Sequence, residues 1–447
     1  MKAEQQYIDL FTQYEDLICR KSVPVLNALR AQAFADFERL GFPSLKGEDY
    51  KYTDVEKAFA PDYGININRL NIPVNPYDVF HCDVPNLSTS LYFVVNDSFY
   101  DKELPKAHLP EGVYAGGLCR FASEYPEIAA RYYGKLAQTS SNGVVALNTM
   151  LAQDGFVVYV PKHTVVERPI QLVNIFRSDV DTMANRRILF IVEENAEARL
   201  LVCDHSIDDV KFFSNQVIEI FAGANARADY YDLEESSVST TRFSNLFVRQ
   251  EAHSSVVVNG VTLTNGLTRN NYFVSLEGEG ADLSLCGMSV LDKEQQLDTY
   301  SLVHHKVPHC TCNELFKNVL NDRAIGAFSG RILVEQGADK TEAYQTNRNL
   351  CATRECRMYS KPQLEIYADD VKCSHGMSTG QLDENAFFYM QSRGISRDEA
   401  RMLLSVAFTS DVIEHVRLEA LKDRLHKLVE KRFRGELAKC AGCRICK

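Results

Sequence analysis

A thiol and an imidazole stand one residue apart near the end of the sequence, in "DDVKCSHG" from Asp369 to Gly376. On an extended strand, residues i and i+2 point to the same face, so Cys373 and His375 would lie side by side. Such a pair can bind a soft metal ion, and an adjacent imidazolium lowers a thiol pKa. The alternative is a packed thiol beside a surface histidine. A cysteine-protease site would need an oxyanion hole and a third, orienting residue, which the sequence does not mark.

A second group of soft ligands lies upstream, in the stretch "HHKVPHCTC". It contains His304, His305, His309, Cys310 and Cys312. Imidazole and thiolate suit zinc, copper or iron. Cysteine also serves as a small apolar residue when it is buried, so Cys310 and Cys312 could equally be packing residues of a core.

The end of the chain, "KCAGCRICK", is a third candidate. Its cysteines Cys440, Cys443 and Cys446 have the spacing C-x2-C-x2-C, which is three quarters of a bacterial ferredoxin motif. Three thiolates can hold a cluster with one iron open, and the neighbouring basic residues favour thiolates. The alternative is a chain end whose cysteines bind nothing.

Regularly spaced turns indicate the scaffold that would position these residues. Turns rich in small or polar residues begin at Asn195, Gly223, Glu251, Gly280, His309 and Gly337, 28 or 29 residues apart. Between them lie short extended runs such as "RRILFIVEE" and "NQVIEIFAG", so each unit is a coil of strand, turn and strand. Stacked coils predict a parallel β-helix. A β-sandwich with evenly spaced strands is the alternative.

Helical spacing of apolar residues marks both ends of the chain. It runs from Tyr7 to Leu40, and a mixed region with one strand candidate, "SLYFVVND", follows. Three helices are predicted after Gly380, the second opening with the capping box "SRDE" and the third spanning Ile413 to Leu428. These helices either cap the solenoid or form a surface for another protein. We predict a helical and mixed region over 1–152, the β-helix over 153–379, a helical domain over 380–437 and a cysteine-rich tail over 438–447.

Composition narrows the classes of function. The 447-residue chain has a formal net charge of −11 and a pI near 5.6, which argues against binding to nucleic acid. The sequence shows neither a signal segment at its start nor an apolar stretch long enough to span a membrane, so we expect a cytoplasmic protein that does not bind membranes. Its 13 cysteines are irregularly placed, which predicts reduced thiols. Without a G-x-x-x-x-G-K-[ST] motif, the chain is not expected to hydrolyse ATP.

Several stretches closely resemble the SufB/SufD family of iron-sulfur cluster assembly proteins. These are "QTNRNL", "HKVPHCTCNELFKNVLND" and "KPQLEIYADDVKCSHGMSTGQLDENAFFYMQSRGIS", and the resemblance covers at least Val160 to Val416. "KCSHG" followed by "GQLDE" resembles the SufD branch. "GEDYKYTDV" resembles the amino-terminal signature of that branch, in which an aromatic residue, often tryptophan, stands in the place of Tyr50.

The resemblance implies a right-handed parallel β-helix that pairs with SufB and a carboxy-terminal helical domain that docks on the ATPase SufC. It also implies that Cys373 and His375 contribute to a transient iron-sulfur cluster at the SufB interface. His305 and His309 match the family pattern too, whereas Cys310 and Cys312 depart from it. Reduced flavin is a further implied cofactor, without a residue that locates it.

These implications together predict a non-catalytic scaffold subunit of the SUF system. A SufB-like scaffold that forms a homodimer is one alternative, and the chain could also form a homodimer in isolation. A β-helix polysaccharide lyase or hydrolase is the other, because a fold alone does not fix a function.

Overall fold

The computed structural model describes residues 2–80, 89–105 and 109–436. It is mainly β, with a parallel β-solenoid of about 8 turns between helical amino-terminal and carboxy-terminal regions. The predicted fold class is therefore confirmed. The predicted tail cysteines Cys440, Cys443 and Cys446 lie outside the described residues.

The strands are numbered in chain order. They are β1 Gly64–Ile65, β2 Ser90–Val95, β3 Ser98–Phe99, β4 Tyr114–Gly117, β5 Phe156–Val160, β6 Ile170–Phe176, β7 Thr182–Val192, β8 Glu197–Ser206, β9 Phe212–Ala222, β10 Arg227–Glu235, β11 Thr240–Gln250, β12 Ser255–Thr264, β13 Leu267–Leu276, β14 Asp282–Leu291, β15 Gln296–His305, β16 Thr311–Leu320, β17 Ile325–Val334, β18 Glu342–Cys351, β19 Arg357–Ile366 and β20 Lys372–Gly380.

The α-helices are numbered in the same way. They are α1 Ala3–Arg20, α2 Pro24–Asn27, α3 Arg30–Leu40, α4 Val55–Phe59, α5 Pro76–Val79, α6 Leu118–Glu124, α7 Pro126–Tyr132, α8 Gly143–Leu151, α9 Glu384–Ser392, α10 Arg397–Glu414 and α11 Glu419–Phe433.

Each coil of the solenoid gives one strand to each of two sheets. Sheet A has the order β19-β17-β15-β13-β11-β9-β7-β5-β4, and sheet B the order β20-β18-β16-β14-β12-β10-β8-β6-β2-β3. The long strands pair in parallel and nearly without register shifts. Equivalent residues of successive coils therefore form columns along the solenoid, and alternate residues point into its interior.

The recurring turns predicted from the sequence are the corners that join sheet A to sheet B. Asn195, Asn225, His253 and His309 have φ between 54° and 60° there, and Gly280 and Gly337 have φ of 72° and 82°. Left-handed backbone is tolerated by glycine and, among other residues, best by asparagine, aspartate and histidine. The residue types at the corners thus explain why the repeat was visible.

The amino-terminal end of the solenoid is covered. The predicted strand "SLYFVVND" forms β2, which pairs in parallel with β6, while β3 and β4 close the end by antiparallel pairing. Helices α1, α3 and α8 pack against the outer face of sheet A. The predicted helical segment from Tyr7 to Leu40 is divided into three helices, because proline at position 24 cannot continue α1 and instead begins α2.

The carboxy-terminal helices lie on the flank of the solenoid. Val412, Ile413, Leu421 and Leu425 pack against the outward-facing apolar residues of sheet B. The interpretation of these helices as an end cap is therefore wrong. The N-cap half of the predicted capping box is confirmed, since the Ser396 hydroxyl accepts from the backbone N–H of Glu399 at 3.2 Å, while the Glu399 carboxylate accepts from Arg434.

The third carboxy-terminal helix begins later than predicted. Helix α10 continues to Glu414, and α11 begins at Glu419. Apolar spacing alone did not separate them, because the residues on both sides of the break pack against the same sheet. Within the described ranges, none of the helices is long and apolar enough to cross a membrane.

Candidate functional site

The carboxy-terminal end of the solenoid is open, in contrast to the covered amino-terminal end. Strands β19 and β20 are the outermost strands of their sheets. In β20 every residue except Cys373 is exposed, and the side chains of Met377 and Tyr367 are 50% and 63% exposed. A terminal strand with apolar side chains and an unpaired backbone edge is a template for pairing with another chain.

Cys373 lies on the inner face of this last coil. It is half-buried and packs against the apolar interior, directly above Ala343 of β18 in the register of sheet B. Burial raises the pKa of the Cys373 thiol, and the backbone of Ala343 opposes that shift. A neighbouring imidazolium was expected to lower the pKa of Cys373. The pKa is raised instead, because the thiol packs in apolar surroundings.

His375 lies two residues further along the same strand face and is exposed. In the column beneath it stand Gln345 of β18 and Glu314 of β16. The Gln345 side chain donates to the Glu314 carboxylate at 2.7 Å, and the Ser301 hydroxyl donates to the same oxygen at 3.2 Å. A polar column thus leads from the exposed imidazole into the interior.

Glu314 is fully buried, and burial raises its pKa to about 7. Gln345 and Ser301 stabilise the carboxylate and oppose that shift. Sequence reasoning missed both Glu314 and Gln345. The repeat contained the signal, because they occupy the same place in successive coils as His375.

The upstream group of soft ligands is split between the interior and the surface. Cys310, Cys312 and His305 are buried in the solenoid, where burial raises the pKa of both thiols and lowers that of His305 to about 4. The imidazoles of His304 and His309 face carboxylates instead: His304 Nε2 lies 2.7 Å from Glu335, and His309 Nε2 lies 3.8 Å from Glu279. Nowhere in the described ranges do three histidine, cysteine or carboxylate side chains converge to hold a metal ion.

Cys312 and Cys373 share one interior column, with Ala343 between them. They are close enough for Cys373 to contribute to the raised pKa of Cys312. The structure therefore brings Cys312 into the column of the predicted pair. His305 ends β15 in the other sheet and His309 lies in the corner between β15 and β16, so neither stands in that column.

The carboxy-terminal helices offer a second exposed surface. On α9, Phe387 is buried, whereas Phe388 and Tyr389 are 75% and 60% exposed. Leu403 on α10 is 39% exposed. Apolar packing fixes the opposite faces of α10 and α11 on sheet B, and Arg417, between the two helices, forms an ion pair with Asp229 at 3.0 Å.

The comparisons with known proteins agree with this architecture. The family description "SufBD protein N-terminal region" matches residues 1–172, and "SUF system FeS cluster assembly, SufBD core domain" matches residues 175–408. An iron-sulfur cluster assembly SufBD family protein of Synechocystis is 30% identical over 88% of both chains.

Several relatives carry the name iron-sulfur cluster assembly protein SufD, among them two bacterial proteins. That of Escherichia coli is 29% identical over 65% of this chain and 69% of its own length, and that of Bacillus subtilis is 26% identical over 97% of this chain and 99% of its own. Two family descriptions that together match nearly the whole described chain, and relatives of similar length, lead to one conclusion: the chain belongs to the SufB/SufD family of iron-sulfur cluster assembly proteins.

Proposed function

We propose that this chain is a SufD-like, non-catalytic scaffold subunit that pairs with a SufB subunit through the open end of its solenoid. One observation carries the proposal: Cys373 and His375 share the inner face of the only uncovered solenoid end within the described ranges. Another β-solenoid added to β19 and β20 would continue both sheets and bury that face. Thiol and imidazole would then meet the ligands of the partner at the seam.

The cluster is the cargo of this assembly, and the chain supplies part of its coordination. Iron-sulfur clusters are bound mostly by four thiolates, and histidine replaces cysteine in some centres. Because this chain offers two ligands at its open end, the partner must supply the others. The Cys373 thiol must release its proton when it binds iron, so loading should be favoured as pH rises.

The exposed apolar surface of the carboxy-terminal helices is the proposed docking surface for the ATPase SufC. We define this surface by Phe388, Tyr389 and Leu403. None of its residues belongs to β19 or β20, so we expect one subunit to hold both partners at once. Since the sequence has no P-loop, ATP hydrolysis is assigned to that partner.

The test of the ligand role is a double variant, Cys373→Ser with His375→Ala, co-expressed with SufB and SufC. We expect an intact complex whose iron and sulfide content after anaerobic reconstitution falls well below that of the wild type. The matched control is Cys19→Ser with His163→Asn, which changes a half-buried thiol and an exposed corner histidine far from the open end. Equal loading of the double variant and the control would refute the ligand role.

A homodimer joined through the same open end is the second candidate, since an uncovered strand edge can pair with its own copy. Light scattering on the purified chain, alone and with SufB, distinguishes the two assemblies.

Anaerobic reconstitution of a chain truncated before Lys439 tests whether the tail cysteines bind a cluster. Absorbance of the purified complex at flavin wavelengths tests whether flavin is bound. A cytoplasmic location stays a prediction.

A further inference from the structure

Two cysteines outside the proposed site meet at the corner that joins β18 to β19. Cys351 ends β18, and Cys356 immediately precedes β19. Cys356 belongs to a small apolar cluster with Leu291, Leu297, Leu320 and Ala324, and Cys351 packs against the same cluster. Both are free thiols.

The corner holds the two thiols against each other. The Cys351 side chain interacts with that of Cys356, and the Cys356 thiol lies 3.3 Å from the backbone carbonyl of Thr353, to which it donates. The backbone on both sides of the corner is fixed on the preceding coil, by Ala352 N–H to Leu320 at 2.8 Å and Arg357 N–H to Ala324 at 3.0 Å. The pair is therefore held at a fixed place in the fold.

Solvent reaches this corner. Cys351 is half-buried and Cys356 is 8% exposed, while Arg354 and Glu355 between them are exposed. The pair thus differs from Cys286, which is buried beneath the carboxy-terminal helices, and from Cys312, which is buried in the solenoid interior. Redox-active thiols need access to solvent as well as a partner thiol.

We infer that Cys351 and Cys356 form a redox-active thiol pair, which a small-molecule disulfide oxidises to an intramolecular disulfide. With oxidised glutathione, one protein thiolate attacks the glutathione disulfide and releases one glutathione thiolate. The second protein thiolate then attacks the mixed disulfide and releases the other. Two protein thiols are oxidised, one small-molecule disulfide is reduced to two thiols, and the two protons go to solvent or to the released thiolates.

The bond would link the end of β18 to the start of β19, where the chain enters the outermost strands of the open end. Burial first, and the Cys356 thiol next, raise the pKa of Cys351 to about 12, so the exchange should run faster as pH rises. The inference does not depend on the proposed function, because the disulfide can be detected in the isolated chain.

The sequence provides a direct assay, because trypsin cleaves after Arg348, Arg354 and Arg357. Cys351 and Cys356 then lie on separate peptides, 349–354 and 355–357. The reduced full-length chain is treated with oxidised glutathione, its remaining thiols are alkylated, and the digest is analysed by mass spectrometry without reduction. We expect the two peptides as one linked species, about 2 Da lighter than their sum.

Variants separate this bond from general thiol oxidation. Cys351→Ser and Cys356→Ser should each lose the linked species, whereas Cys19→Ser should retain it. A second measurement needs no oxidant and uses phenylarsine oxide, a reagent that binds paired thiols. It should protect both peptides from alkylation in the wild type. In each single variant, the one remaining cysteine should be alkylated. Links from Cys351 or Cys356 to another cysteine, or separate alkylated peptides in both measurements, would overturn the inference.

Discussion

At the scale of single residues, the interior of the solenoid carries charge where a β-helix usually carries apolar side chains. Glu314 is buried beneath Gln345 and His375, and its pKa of about 7 places its titration close to neutral pH. A carboxyl group in apolar surroundings keeps its proton more tightly than it would in the unfolded chain. Protonation of Glu314 therefore stabilises the coil that supports the proposed ligands.

Protonation of Glu314 makes the stability of the chain depend on pH. Between the unfolded pKa near 4.5 and the folded pKa of about 7, the folded chain holds a proton that the unfolded chain has released. The free energy of unfolding should therefore fall as pH rises through this window, by at most about 3 kcal/mol from this group. Glu314→Gln should lose this component of the pH dependence, as measured by urea unfolding at several pH values across the window.

The control for this measurement is Glu294→Gln, because the Glu294 side chain is 75% exposed. Its pH dependence should run parallel to that of the wild type. Other buried acids, such as Glu234, are present in every variant and do not affect the comparison. A Glu314→Gln curve that also runs parallel to the wild type would contradict the assignment.

Residue types predicted part of this site and could not predict the rest. Cys373 and His375 were identified because strand geometry puts residues i and i+2 on one face. Glu314 and Gln345 were missed because their role depends on register between strands far apart in sequence. Cys310 and Cys312 could be ligands or packing residues by type, and only burial distinguishes the two.

At the scale of elements, a segment of the amino-terminal region ties the helices to the later coils. The segment 48–54 follows the outer face of sheet A, where the Tyr50 ring stacks under Arg269 at 4.5 Å and the Tyr52 ring stacks on Tyr359 of β19 at 4.4 Å. The buried Tyr50 hydroxyl accepts from Asn142 at 2.9 Å and from Asn271 at 3.2 Å. This segment explains why an aromatic residue suits position 50.

Tyr50→Phe should destabilise the chain by about 2 kcal/mol, because two buried amide groups lose an acceptor. Thermal unfolding should show a lower Tm. Tyr52→Phe is the control, since it keeps the ring that stacks on Tyr359 and the backbone carbonyl that accepts from Gln296. A Tm loss as large in Tyr52→Phe as in Tyr50→Phe would show that the hydroxyl contacts are not the cause.

The carboxy-terminal helices depend on a different contact. Arg417 forms an ion pair with the fully buried carboxylate of Asp229 and donates to Ser255 at 2.9 Å. Arg417→Met should weaken the docking of α10 and α11 by about 2 kcal/mol, a value reduced because the arginine is partly exposed. Hydrogen exchange in both helices should become at least about tenfold faster.

Lys427→Met, an exposed change on α11, should leave that exchange unchanged. Equal protection in Arg417→Met and Lys427→Met would mean that apolar packing alone holds the helices.

The sequence predicted that these helices exist, through the Ser396 cap and their apolar spacing. Their position could not be predicted, since it depends on partners such as Asp229, which lies 188 residues away.

At the scale of the whole molecule, the two ends of the solenoid are unequal. One end is closed by antiparallel strands and helices, and the other presents β19 and β20. The exposed apolar surface on the carboxy-terminal helices is the second of the two proposed docking surfaces. A molecule built in this way can be altered at one surface without change at the other.

A pair of variants tests that separation. Met377→Asp should weaken association with SufB at least about tenfold, because continued stacking would bury a charge. Phe388→Asp should weaken association with SufC instead. Both side chains are at least half exposed, so the melting temperature of each isolated variant should stay near that of the wild type. A pull-down with each partner measures the association. Loss of both partners in either variant would contradict two independent surfaces.

The open end also has a consequence for synthesis. A nascent chain leaves the ribosome amino terminus first, so the closed end and the early coils exist before β19 and β20 are made. Each new coil can then form on a completed one, as in other repeat proteins. The unpaired strand edge of the open end is therefore the last part of the solenoid to emerge. This order shortens the time in which that edge could aggregate during translation.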